Sequence, residues 1–293
     1  MADTATAPAT GDRSRVRSRK AAGTTWIARI VLVGAALATV VPIVWMVVVA
    51  FLQPRAIVAA GWEFDLSWEN FSTVFSADQV YGRQVLNSVV LVVLATGICL
   101  VVGGLAAYSL SRLDWRPRTV VTVLAVAGLL QIVPPMALVP GLFTTLTQLG
   151  LNGTLAGLVL LNVLFNLPFT VIMLKFTFDS LPGELRESSA LDGASEFGTF
   201  WRIMLPLAVP GVAAVGIFTA IQVWNEFLFG LVFTTGGETA PITVGIATLV
   251  QPQEILFGPM AAVGVVTGIP IILLAIVANR QIVSGLTRGA VKG

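Results

Sequence analysis

Two stretches hold the side chains of this chain that could do chemistry. From Glu187 the sequence reads Glu-Ser-Ser-Ala-Leu-Asp-Gly-Ala, with carboxylates at Glu187 and Asp192, hydroxyls at Ser188 and Ser189, and small residues at Gly193 and Ala194. It continues through Phe200 and Leu205-Pro206 to Pro210. This loop is charged and helix-prone yet lies between apolar segments, and a chain that keeps such a loop on one face offers it to a soluble partner. The second stretch is Trp224-Asn225-Glu226, where Glu226 is the only acid deep in a predicted apolar span. Neither is a catalytic constellation. The chain has no His, and its one Cys, Cys99, sits inside an apolar run, so there is no disulfide framework and no Cys/His metal cluster. What remains open to these groups is recognition by docking, hydrogen bonding and stacking.

The composition defines the elements that must position them. Of 293 residues, 56% are hydrophobic and only 11% charged, with mean hydropathy +0.90, whereas an average soluble domain carries about 25% charged residues. This is the composition of an all-α polytopic membrane protein. Residues 1–25 are Ala/Thr-rich and then basic, with too little apolar surface to offset ordering entropy, and read as a disordered tail ahead of a membrane domain over 26–293. A cleaved signal peptide fits poorly, because the apolar run from Ile30 to Leu52 is long enough to cross about 30 Å of hydrocarbon and no small-x-small site closes it.

Six transmembrane helices are expected. After the first, residues 84–111 hold the second; the uncharged stretch 119–174 holds a third and fourth, split by the Gly-containing turn from Thr145 to Thr154; a fifth runs from about Ile203 to Phe233 and a sixth from about Phe257 to Asn279. With this topology only Arg55 and Arg83 lie opposite the other basic residues, which places both termini and the Glu187 loop in the cytoplasm. The outer face then carries a loop from Gln53 to Leu86 with Trp62 and Trp68, and another from Thr234 to Leu256.

The cytoplasmic loop between spans four and five reads as a helix over about 183–200. Pro182 precedes it, and Glu184 and Glu187 fall in its first turns, where the helix dipole favours acids. At 100° per residue, Ala190, Ala194, Phe197 and Trp201 share one face, while Leu185, Ser189, Asp192 and Glu196 share nearly the opposite one. One side can pack on the bundle and the other can dock. Gly193 costs about 1 kcal/mol in a helix relative to Ala, which points to a close backbone approach or a bend. An interfacial amphipathic helix that only stabilises the loop is equally compatible with these residues.

The loop resembles the cytoplasmic signature of ABC importer permeases, Glu-Ala-Ala-x-x-x-Gly followed by Leu-Pro. Residue types agree at Glu187, Asp192, Gly193, Ala194, Phe200, Leu205, Pro206 and Pro210, and Ser188-Ser189 stand where the family usually has Ala-Ala. Other segments are similar to the carbohydrate branch of that family, the maltose system's second membrane subunit among them. These are Asn87-Ser88, the run from Ala106 through Tyr108 to Arg112, Gln131 to Pro140 with its Pro134-Pro135, Trp224-Asn225-Glu226-Phe227, and the ending from Gly285 to Gly293. The likeness spans 26–293.

The resemblance implies a transport subunit rather than an enzyme, with a coupling helix carrying Glu187, Ser188, Ser189, Asp192, Gly193 and Ala194. It implies no cofactor in this chain, because ATP and Mg would be bound by two cytoplasmic ATPase subunits. The other implied partners are a second permease subunit, an extracytoplasmic solute-binding protein and a sugar; no nucleic acid is involved. The sequence agrees by omission, since it contains no Gly-x-x-x-x-Gly-Lys-Ser/Thr phosphate loop.

Polar groups within spans mark the pathway or its gate, since hydrocarbon cannot satisfy them. Glu226, about 30 Å along a helix from Pro206, belongs to the outer half, with Asn225 and Trp224 beside it. Asn162 and Asn166 lie four apart on one face of the fourth span, and Gln131 precedes the Pro134-Pro135 break. Trp224 to Glu226 could meet a sugar or close an outer gate, and the amides could instead serve interhelical hydrogen bonds. Cargo such as a glycerol-linked phosphate is an alternative to sugar. A self-sufficient channel or secondary transporter lacks support, as no basic residue lies within a span and no duplication is visible.

Overall fold

The computed structural model describes residues 13–53, 65–76, 80–234, 237–251 and 255–289, with side chains placed within 26–277. The described chain is helical: α1 (Arg13–Phe51), α2 (Glu69–Phe75), α3 (Tyr81–Arg112), α4 (Pro117–Ile132), α5 (Pro135–Gln148), α6 (Leu155–Asp179), α7 (Glu184–Leu191) and α8 (Glu196–Thr199). A π-helical turn over Phe200–Met204 leads into α9 (Leu205–Trp224), followed by α10 (Leu228–Thr234), α11 (Ile242–Thr248) and α12 (Phe257–Gly289). Of the segment expected to be a disordered tail, residues 1–12 lie outside the described residues, and α1 begins at Arg13. Trp62 also lies outside them, while Trp68 packs edge-on against Phe51 with ring centroids 5.0 Å apart.

Five helical segments are long and apolar enough to cross a membrane: Trp26–Phe51, α3, α6, Glu196–Trp224 and Phe257–Val277. Where the third span was expected stands the pair α4 and α5, bent by 98° at its break. Pro134 and Pro135 are the reason, because neither has an N–H to donate and a proline ring clashes with the preceding turn; Pro135 is tolerated as the first helical residue of α5. The fifth span is shorter than expected. It stops at Trp224 rather than running to Phe233, and α10 restarts after Asn225, Glu226 and Phe227.

The bundle is organised around α3 and α6, with α9 packed across both. Small residues permit the approach: a Cβ on Gly103 would stand 3.0 Å from the Thr170 methyl, and one on Gly216 would stand 2.9 Å from Leu100. One core cluster joins Leu91, Ala95, Leu158, Leu161, Val223, Phe229 and Phe233. A second, toward the end that carries α7, joins Ala107, Tyr108, Leu174, Phe178, Phe200 and Met204. Most side chains of α1 stay exposed, as a lipid-facing helix requires, and its end meets α12 through Ala50, Ala261 and Ala262. There Asn70 on α2 donates its amide to the carbonyls of Ala50 at 3.0 Å and Leu52 at 2.7 Å, closing the end of α1.

The entry into α6 fixes the depth of its polar residues. Thr154 caps it, its hydroxyl accepting the Gly157 N–H at 3.0 Å, and a Cβ on Gly157 would collide with the Leu151 carbonyl oxygen. Gly157→Ala is therefore expected to destabilise the protein by about 1–3 kcal/mol. Thermal unfolding of the purified protein in detergent checks this, with Gly128→Ala as a control whose Cβ meets nothing within 4 Å.

Candidate functional site

The first candidate region is the connection from α6 to α9. It is not one helix over 183–200. α7 ends at Leu191, Gly193 takes φ +77°, and α8 begins at Glu196. The Gly193 N–H donates to Ala190 O at 3.0 Å and the Ala194 N–H to Ser189 O at 3.1 Å, the hydrogen bonds of a left-handed helix cap. Gly193 is thus retained for its backbone conformation, not for close packing, since a Cβ there would meet nothing within 4 Å. Ser195 restarts the helix by accepting the Gly198 N–H at 3.2 Å.

The break also overturns the two faces expected from a continuous wheel. Ser189, grouped with Asp192 and Glu196, points inward: it is buried, with its hydroxyl 2.7 Å from that of Thr199. Phe197 and Leu191 stand 65% and 89% exposed. Glu187, Ser188, Asp192, Gly193 and Ala194 all lie on the surface.

Groups without an assigned role in the sequence hold this element to the bundle. Arg186 on α7 donates through Nε at 2.9 Å and Nη2 at 2.6 Å to Glu196 Oε1, and Tyr108 on α3 donates its hydroxyl at 2.8 Å to Glu196 Oε2. The hydrogen bond to Glu196 pushes the Arg186 guanidinium further up from its already high value, so it keeps its charge. Arg112, the last residue of α3, donates to the carbonyls of Phe178 and Leu181 at the end of α6. Ser111 and Lys175 both donate to Asp179, at 2.6 and 2.7 Å. The result is a stiff bracket that presents the Asp192-Gly193 turn.

The second region is a cavity of about 320 Å³ among α4, α6 and α9, lined by Gln131, Asn162, Asn166, Asn225 and Glu226, and by Gln222. Spacing in sequence anticipates the pair Asn162 and Asn166. Gln222 is a further residue that it did not single out, although it lies three before Asn225 and so shares its face. Trp224 does not line the cavity; it is buried at 5% exposure. The Gln131 amide donates to Phe165 O at 3.0 Å, Asn162 to Leu158 O and Asn166 to Asn162 O at 2.9 Å each, and Asn225 to Ile221 O at 2.8 Å.

Glu226 occupies the break between α9 and α10, not the middle of a span. Its carboxylate accepts the N–H groups of Phe229 at 2.5 Å and Gly230 at 3.1 Å, and its carbonyl accepts the Thr243 hydroxyl at 2.7 Å. These are the orphan donors at the start of α10, satisfied by a side chain where hydrocarbon offers nothing.

A bundle of apolar spans, one folded back at a double proline beside an amide-lined cavity, defines a membrane transport subunit. Residues 99–288 match the family described as binding-protein-dependent transport system inner membrane component, and the chain belongs to that family. It is 34% identical over 254 residues to the diacetylchitobiose uptake system permease protein NgcG of Streptomyces coelicolor, covering 85% of this chain and 83% of the relative. With the trehalose/maltose transport system permease protein MalG of Thermococcus litoralis it shares 32% identity over 270 residues, covering 90% and 96%. The fold matches a chain in the crystal structure of a bacterial ABC transporter involved in the import of the acidic polysaccharide alginate. The TM-score is 0.75 at 21% identity, covering 94% of this chain and 99% of the other.

The cap reading of Glu226 is testable. Glu226→Ala should cost about 1 kcal/mol and accelerate hydrogen exchange at the Phe229 and Gly230 amides, with Glu226→Asp intermediate. Unchanged exchange over 228–234 would show that the carboxylate does not hold α10.

Proposed function

We propose that this chain is the membrane-spanning permease subunit of an ATP-driven, binding-protein-dependent sugar importer. It forms half of the translocation pathway beside a second permease subunit. A solute-binding protein delivers sugar at the outer face, and two separate cytoplasmic subunits bind ATP and Mg. Relatives of nearly full length are named for trehalose, maltose and diacetylchitobiose, which supports the substrate class. The basic residues favour cytoplasmic termini and a cytoplasmic Asp192-Gly193 turn.

The observation that carries the coupling role is the bracketed turn. An exposed Asp192-Gly193 corner, flanked by Leu191 and Phe197, stands on an element tied to α3 through Glu196, Arg186 and Tyr108. A partner that grips this corner through Glu187, Ser188, Asp192, Gly193 and Ala194 moves α3, α6 and α9 with it, because Ser189 and Thr199 join the two short helices beneath. Closing of the ATPase pair then tilts the spans between inward-open and outward-open states, with the bracket as the element whose position differs between them. The amide cavity and the Glu226 cap belong to the pathway and its gate.

Asp192→Arg and Gly193→Trp are expected to insert normally and to abolish both sugar uptake and substrate-stimulated ATP hydrolysis in the reconstituted complex. Uptake at the wild-type rate by both variants would remove the turn from the mechanism. Tyr108→Phe breaks only the tie to α3, and should lower uptake per ATP hydrolysed while leaving assembly with the ATPase intact by co-purification.

A further inference from the structure

We propose that the cavity among α4, α6 and α9 touches the transported solute directly and admits it only when it is not anionic, so that sugars bearing uronate or phosphate groups are refused. This rests on the sugar-importer reading and names the charge class that this subunit accepts. The first observation is the polarity of the wall. Gln131, Asn162, Asn166 and Asn225 each spend an amide N–H on a backbone carbonyl. No hydrogen bond reaches their side-chain oxygens among the described residues, and the Asn162 Oδ1 is an unpartnered acceptor in a residue only 1% exposed.

The wall therefore presents amide oxygens together with the second N–H of each amide, joined by the carboxylate of Glu226, and no Lys or Arg lines the cavity among the described residues. Hydroxyl groups are complementary to such a wall, because each can both donate and accept. A carboxylate or phosphate instead meets the like charge of the Glu226 carboxylate and has no cation to offset its desolvation. The second observation is that Gln131, Gln222 and Asn225 are exposed on otherwise apolar helices. Such groups are costly against hydrocarbon, so this side of the bundle faces water or protein rather than lipid. The third is apolar lining: Phe165 and Phe229, packed on each other with centroids 4.9 Å apart, give the cavity an aromatic edge beside its amides. At about 320 Å³ the cavity has the volume of a small-ligand site.

Gln222 supplies the test, because it is exposed and makes no side-chain hydrogen bond among the described residues, so its replacement spares the fold. The complete complex in nanodiscs, without binding protein, is probed by saturation-transfer NMR. Maltose, trehalose and diacetylchitobiose serve as neutral probes, and glucuronate and glucose 6-phosphate as anionic ones. Wild type should give signal with neutral probes alone, and Gln222→Lys should make the anionic probes visible. In proteoliposomes with binding protein, Asn166→Ala and Gln222→Lys should raise the KM for the imported sugar about tenfold, the effect of one lost hydrogen bond. Anionic probes binding wild type as well as neutral ones do, no probe binding at all, or an unchanged KM in both variants would overturn the proposal. If sugar uptake is robust while these tests fail, only the cavity assignment falls; if wild type imports no sugar, the importer reading falls with it.

Discussion

Where a span is interrupted within the bundle, backbone donors and acceptors are freed in surroundings that cannot hydrate them, and the way each is satisfied shapes what surrounds it. At the α9–α10 break the Glu226 carboxylate takes two N–H groups and the Thr243 hydroxyl takes the carbonyl of Glu226. At the α4–α5 break the prolines remove donors instead of capping them, and Gln131 nearby ties α4 to the Phe165 carbonyl of α6. Among the polar groups of the cavity, Glu226 is there first because a broken helix needs it. A pathway can be lined at little extra cost where such groups have already been brought together.

The same economy governs the α6–α9 connection at the opposite end of α6. The carbonyls left open where α6 ends are taken by Arg112 from α3, so the feature that closes a helix also locks two spans together. Glu196 does likewise for α7, α8 and α3. A short helix such as α7 has little stability of its own. Its position is set by charge-assisted hydrogen bonds and by the buried Ser189–Thr199 contact, which makes it stiff without making it large.

Long features were legible in the sequence, and of the interruptions discussed only the double proline was. Apolar runs between charges located the spans, and the double proline announced its bend because proline lacks a donor whatever the context. Gly193 was ambiguous, since a glycine in a helix-prone run signals close packing or positive φ alike, and a wheel drawn through it assumed the continuity that its φ denies. Ser189 could be turned inward only by knowing that Thr199 comes back to meet it. Glu226 looked like a buried pathway acid because capping depends on where the next helix starts, and nothing in Trp224 to Leu228 marks that as a start from sequence alone. Asn162 and Asn166 were legible through their spacing of four, whereas Gln222 lacked a partner until α6 and α9 were set side by side.

The folded-back pair α4 and α5 has a consequence for how the protein enters its membrane. At 1.5 Å per residue, the sixteen residues of α4 rise about 24 Å and the fourteen of α5 about 21 Å, each short of the roughly 30 Å of hydrocarbon. Neither half can partition into the bilayer as an autonomous span, and the bend of 98° prevents them from acting as one straight helix. Its first half, α4, packs against α6, which follows the pair in the chain. The folded-back pair thus depends on its neighbours for its place in the bilayer, and it is the segment that contributes Gln131 and Pro135 to the wall of the cavity.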